Sequence, residues 1–158
     1  MKNITASLVL VSLFAACAIE ENPIVQTITP GCGADGNRFQ ADLGGADFCA
    51  EGSLVAVAGE GALTINGLAL NGVSLTLQID SLQVGLHESN EANNNILLME
   101  QGQNYTVGPG GEGTITITSH DEISNSVTGS FEAGLLNVQS GVQRSVSGSF
   151  EVIYTTQQ

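Results

Sequence analysis

From Phe39 onward the apolar residues recur at every second position, the period of a strand with one buried face, not the 3.6 of a helix. Val73, Leu75, Leu77 and Ile79 alternate with Ser74, Thr76, Gln78 and Asp80. Leu63 and Ile65 alternate with Thr64 and Asn66, and Asn66-Gly67 then predicts a turn. Ile115 and Ile117 sit between Thr114, Thr116 and Thr118. Leu54 to Ala58 is apolar at every position, which predicts a strand covered on both sides. Ile96 to Met99 is too short to assign, and no stretch past residue 17 carries a capped helical stripe.

The last third contains an echo. Val127-Thr128-Gly129-Ser130-Phe131-Glu132 recurs as Val146-Ser147-Gly148-Ser149-Phe150-Glu151. In each copy Val, Gly and Phe share one face, while the hydroxyl residues and Glu share the other. Two long neighbouring strands joined through residues 137–143 fit this pattern. Gly129 and Gly148 on the inward face then call for a bulge or a covering aromatic ring. Segments near 38–42, 53–59, 61–66, 73–79, 82–86, 103–107, 113–119, 126–136 and 143–154 predict an all-β fold. Its expected form is an antiparallel β-sandwich or flattened barrel of about eight to nine strands.

The N-terminus is of another kind. Met1-Lys2 opens a mostly apolar run from Ile4 to Ala16, shorter than the ~20 residues that a membrane-crossing helix needs. It has the form of a secretory signal. Leu13-Phe14-Ala15-Ala16-Cys17 resembles the lipobox of bacterial lipoproteins, and that resemblance implies acylation of Cys17 as the mature N-terminus. The competing reading is ordinary cleavage after Ala18, which discards Cys17. Glu20 and Glu21 are similar to the surface-export signal of Bacteroidetes-type lipoproteins, or are simply part of a solvated tether. The expected organisation is a signal over 1–16, a lipid-anchored tether over 17–31 and one β-domain over 32–158. Such a chain lies outside the cytoplasm, at the outer membrane or cell surface, held to the membrane by its lipid.

Charge sharpens this picture. The 158 residues carry a formal charge of −13, which argues against nucleic acid as a partner because nothing could neutralise phosphates. Lys2 is the only lysine, so the mature chain has two Arg against sixteen acids, or −14. With Cys17 acylated, Cys32 and Cys49 remain as an even pair in an oxidising compartment, and a disulfide is the natural expectation. Neither a CxxC spacing nor a neighbouring His supports a metal or redox pair.

Several elements in order then resemble a family of small uncharacterised lipoproteins from Bacteroidetes-type bacteria. They are Arg38-Phe39-Gln40-Ala41, Gly61-Ala62-Leu63-Thr64-Ile65-Asn66-Gly67 and Val73-Ser74-Leu75-Thr76-Leu77-Gln78-Ile79. The run Gly113-Thr114-Ile115-Thr116-Ile117-Thr118, Asp121 and Val127-Thr128-Gly129-Ser130-Phe131 follow, and Val146 to Val152 closes the set. The resemblance spans about residues 38–154. It implies a secreted, lipid-anchored β-domain and no catalytic residues.

Chemistry-bearing residues are sparse. His120-Asp121-Glu122 lies where a turn is expected, adjacent strand residues face opposite ways, and no Gly-x-Ser-x-Gly elbow accompanies them. Asp121 is read as bonding its own backbone. Glu132 and Glu151 share an outward face, and a glycosidase would need two carboxyls about 5–10 Å apart. Asp35-Gly36-Asn37 begins like a calcium loop, with Asp42 and Asp47 nearby as further oxygen ligands, so calcium is the metal candidate. Among the aromatic residues, Tyr105 is the candidate exposed ring for sugar contact. The Asn-rich stretch from Glu88 to Asn95 is either a recognition loop or a tip. The sequence thus predicts a non-enzymatic binding or envelope-associated module without cofactor. The alternative is a carbohydrate- or calcium-binding accessory domain, with a glycan or an envelope protein as partner.

Overall fold

A computed structural model describes residues 32–33, 36–90, 92–109 and 111–157. The expected signal segment, the expected lipid site at Cys17, the expected tether and Asp35 lie outside the described residues.

Strands form where the alternation demands them. In chain order they are β1 (Arg38–Asp42), β2 (Asp47–Cys49), β3 (Ser53–Gly59), β4 (Ala62–Leu68), β5 (Ser74–Ile79) and β6 (Gly85–Ser89). Then follow β7 (Ile96–Glu100), β8 (Gln103–Val107), β9 (Gly113–Asp121), β10 (Ser126–Leu136), β11 (Gln143–Ile153) and β12 (Thr155–Thr156). No helix occurs among the described residues. The fold is all-β, as expected, and its sheet curls into a half-barrel.

The strand order is β12-β3-β4-β5-β7-β8-β10-β11-β1-β2. Every pairing is antiparallel except β12 with β3. The sheet forks at β10: Ser126–Ala133 pair with β9, whereas Leu135 and Leu136 pair with β8. β9 in turn carries β6 on its far edge. Only Tyr154 separates β11 from β12, so one run of chain links the two arms of the curl.

The inward alternates form one core. Leu63, Ile65, Leu75, Leu77, Ile79, Ile96, Leu98, Ile115, Ile117 and Leu135 are fully buried. Phe39 holds its centre, edge-on to Phe48 at 5.6 Å and to Phe131 at 5.8 Å between ring centroids. Each fully buried aliphatic side chain contributes about 1.5–3 kcal/mol by leaving water, which is the main reason this low-charge chain closes up.

Three local expectations change. Asn66-Gly67 is not a turn, because β4 runs through it to Leu68. Gly67 is there for packing: the Phe39 ring and the Ala50 methyl occupy the space a Cβ would take. The turn comes at residues 69–73, where Ala69 N–H donates to the Val73 carbonyl and Gly72 N–H to the Ala69 carbonyl. β3 is buried on one side only, through Ala56 and Ala58, and Val55 remains 51% exposed above Asn66. Residues 96–100 form a full strand, since pairing with β5 and β8 stabilises a run too short to stand alone.

The echo resolves into the β10–β11 hairpin, paired along its whole length. Gly129 faces Phe150 and Phe131 faces Gly148, so each ring fills the place left by the other copy's glycine. The β9–β10 register slips between Thr128 and Gly129, a bulge at the same point. Asn137 closes the hairpin, its Oδ1 accepting from the backbone N–H of Gln139 and Ser140.

Candidate functional site

Residues that face outward on β2, β1, β11, β10, β9 and β6 line up across the strands. One row reads Cys49, Gln40, Ser149, Ser130, Thr116, Leu86. The next reads Asp47, Asp42, Ser147, Glu132, Thr114, Glu88. Neighbouring strands lie about 4.8 Å apart, so each row is about 24 Å long. Apart from Glu88, both rows border an open depression of about 990 Å³, with Cys32 and Glu51 at its rim. No Lys or Arg lines it. Its floor therefore offers hydroxyls and an amide that both donate and accept, and its margin offers carboxylates that only accept.

The disulfide bounds this face. Cys32 and Cys49 are bonded, with Cα atoms 4.7 Å apart across a sequence separation of 17. Phe39 N–H donates to the Cys32 carbonyl at 2.8 Å, which fixes the chain leading into β1.

Among the described residues, the calcium candidates Asn37, Asp42 and Asp47 are not gathered. Asn37 Oδ1 accepts the Ile153 N–H, far along β1 from Asp42. Asp42 Oδ1 accepts from Gly44 N–H at 3.0 Å and Gly45 N–H at 2.9 Å, and so holds the β1–β2 turn. Asp47 stands directly opposite Asp42, and unbridged like charges there repel. Among the described residues no group of three His, Cys, Asp or Glu is placed to share a metal ion.

Tyr105 is corrected outright: it is a core residue, only 4% exposed. It lies on the inward side of β8 opposite Leu98, with its hydroxyl donating to Gln103 Oε1 at 3.2 Å. The Arg144 guanidinium covers the ring at 5.9 Å and pairs with Glu100 at 3.4 Å. The sequence alternation of β8 alone, Gln103 and Asn104 before Tyr105, left its facing ambiguous.

The remaining polar candidates separate. His120 and Asp121 end β9 instead of lying in the turn, and Asp121 holds the turn that follows, accepting from the Ile123 N–H at 2.9 Å and the Ser124 hydroxyl at 2.8 Å. Those two bonds, the Ile123 N–H first, hold its carboxyl below the usual range. His120 turns away from it, and its Nε2 lies 2.8 Å from Tyr154 Oη. Burial, followed by the charges of Glu122 and Asp121, pushes the Tyr154 phenol above its ordinary value. Glu132 pairs with Ser147 while Glu151 pairs with Thr128, an offset of four residues or about 13 Å along the strands. That exceeds the separation of a glycosidase pair. In the 88–95 stretch, Asn94 Nδ2 donates to the Glu88 carbonyl at 2.9 Å and Asn90 Oδ1 holds the Ala92 and Asn93 N–H groups.

Sequence reasoning missed the polar face as a unit. Alternation shows which side chains point outward, but not which strands sit side by side. The chain shows no match to the curated proteins. A family model matches it over residues 36–154, which contain β1 to β11. The chain belongs to the family defined by the domain of unknown function DUF6252.

Proposed function

We propose that this chain is a lipid-anchored, extracytoplasmic binding module without catalytic activity, of the small Bacteroidetes-type lipoprotein kind. Its contact surface is the outward face of β2-β1-β11-β10-β9-β6. The observation that supports this reading is the open depression floored by Gln40, Ser130, Ser147, Ser149, Thr114 and Thr116. Paired hydroxyls and an amide in a regular grid match the donor and acceptor pattern of a polyhydroxylated ligand. The exposed Leu86 side chain at one margin provides an apolar contact for a sugar ring. Asp42, Asp47, Glu51 and Glu132 disfavour polyanions, so the ligand class is a neutral or amino-bearing glycan. The Cys17 lipid and the acidic tether hold this face at the membrane surface.

The test is a glycan array probed with the purified chain, with and without calcium. Binding to neutral or amino-bearing glycans, lost in Gln40→Ala and Ser130→Ala, is the expected result. Binding only with calcium would favour the calcium-dependent alternative. A blank array, or retained binding in both variants, removes the face as the contact surface.

A further inference from the structure

The sequence contains two Asn-Gly pairs, and the fold gives them opposite surroundings. In such a pair the backbone nitrogen of the second residue can reach the amide carbon of the first, because glycine has no Cβ to obstruct the approach. Asn66-Gly67 is locked inside β4, paired with β3 on one edge and β5 on the other. The Asn66 Nδ2 donates to Thr76 Oγ1 at 2.7 Å, and Phe39 and Ala50 press on Gly67. Asn71-Gly72 occupies the exposed turn between β4 and β5. Gly72 has a φ of +84°, and nothing lies within 4 Å of where its Cβ would be. Only two hydrogen bonds within the turn hold the pair: Gly72 N–H to the Ala69 carbonyl at 3.0 Å and Val73 N–H to Asn71 Oδ1 at 3.1 Å.

We propose that Asn71 is a site of spontaneous self-modification and that Asn66 is protected from the same reaction by the sheet. The Gly72 nitrogen forms a bond to Asn71 Cγ and gives up its proton. The Asn71 amide nitrogen takes that proton and leaves as ammonia, closing a five-membered succinimide. Water then opens either carbonyl and yields aspartate or isoaspartate at position 71. Water is the sole co-reactant. Both products add a carboxylate to an already acidic chain, and isoaspartate also adds a methylene to the backbone. In the aspartate product a carboxylate oxygen still accepts the Val73 N–H, whereas in isoaspartate the former side-chain carbon joins the main chain, that bond is lost and the β4–β5 turn loosens.

The experiment incubates the purified folded chain in mildly alkaline buffer and follows residues 61–88, the peptide released by cleavage after Glu60 and Glu88, by fragmentation mass spectrometry. The mass gain of exchanging an amide for an acid is expected at Asn71 at least about tenfold faster than at Asn66, since reaction at Asn66 requires β4 to open. The same incubation in denaturant is expected to bring the two rates together. Equal rates in the folded chain, or gain at Asn71 in denaturant alone, would overturn the proposal. The Asn71→Gln variant, with its longer side chain, is expected to lose the signal at position 71.

Discussion

Phe150 on β11 rests on Gly129 of β10, its ring tip in the space where any other residue would place a Cβ. The Thr116 carbonyl closes the same space from β9. The relationship is reciprocal, since Phe131 lies over Gly148 two pairs further along the hairpin. Gly129→Ala is therefore expected to cost about 1–3 kcal/mol through overpacking. Urea unfolding measures the loss. Adding Phe150→Leu should recover part of it, so a double-mutant cycle that is simply additive would show that the ring and the glycine are not coupled.

The Cys32–Cys49 bond closes a loop rich in glycine around β1 and β2. Removing both cysteines, as Cys32→Ser with Cys49→Ser, should lower stability by about 3 kcal/mol on the chain-entropy estimate for a loop of this length. A denaturation midpoint indifferent to reductant would contradict it. β2 is the expected point of loosening, because it has only three residues and one neighbour.

Two groups give opposite pH responses. The Tyr154 phenol is raised above its ordinary value of 10.0, so its contribution to stability is complete below that pH and is lost as pH climbs through the folded value. Tyr154→Phe should remove that alkaline component of the unfolding curve. The Asp121 carboxyl is lowered below 3.8, so its contribution is present above that pH and disappears as pH falls through the folded value. Asp121→Ala should blunt the acid limb, read as a smaller shift in melting temperature between neutral and acid buffer.

Anchoring has its own test. Cys17→Ser should move the chain from the detergent-extracted membrane fraction to the soluble fraction and abolish incorporation of labelled fatty acid. Retention in the membrane would show that acylation of Cys17 is not what holds it there.

Much of the fold was legible because strand alternation is local. Val73 to Ile79 and the Val-Gly-Phe echo declare their inward faces without any neighbour, and the echo even foretells the bulge at Gly129. What alternation does not encode is lateral order. Nothing in Gln40 indicates that Ser149 and Ser130 stand beside it, so the polar face was invisible before the strands were arranged. Asn66-Gly67 misled for a related reason. The same glycine that suits a turn also suits a place where a distant ring, here Phe39, needs room. Tyr105 failed on facing, since two polar residues precede it on β8 and only its pairing with Leu98 on β7 places it in the core.

The link that β12 makes with β3 has a consequence for how the molecule comes together. Thr155 meets Ala56 across 99 residues of chain, and Gln40 meets Ser149 across 109. The hairpins between these points can zip locally, but β1 and β3 each wait for an edge supplied only at the far end. Folding should therefore be slow and all-or-none, with loop-closure entropy spent before the reward arrives. A chain shortened by its last dozen residues would leave both early strands without the neighbour that completes them.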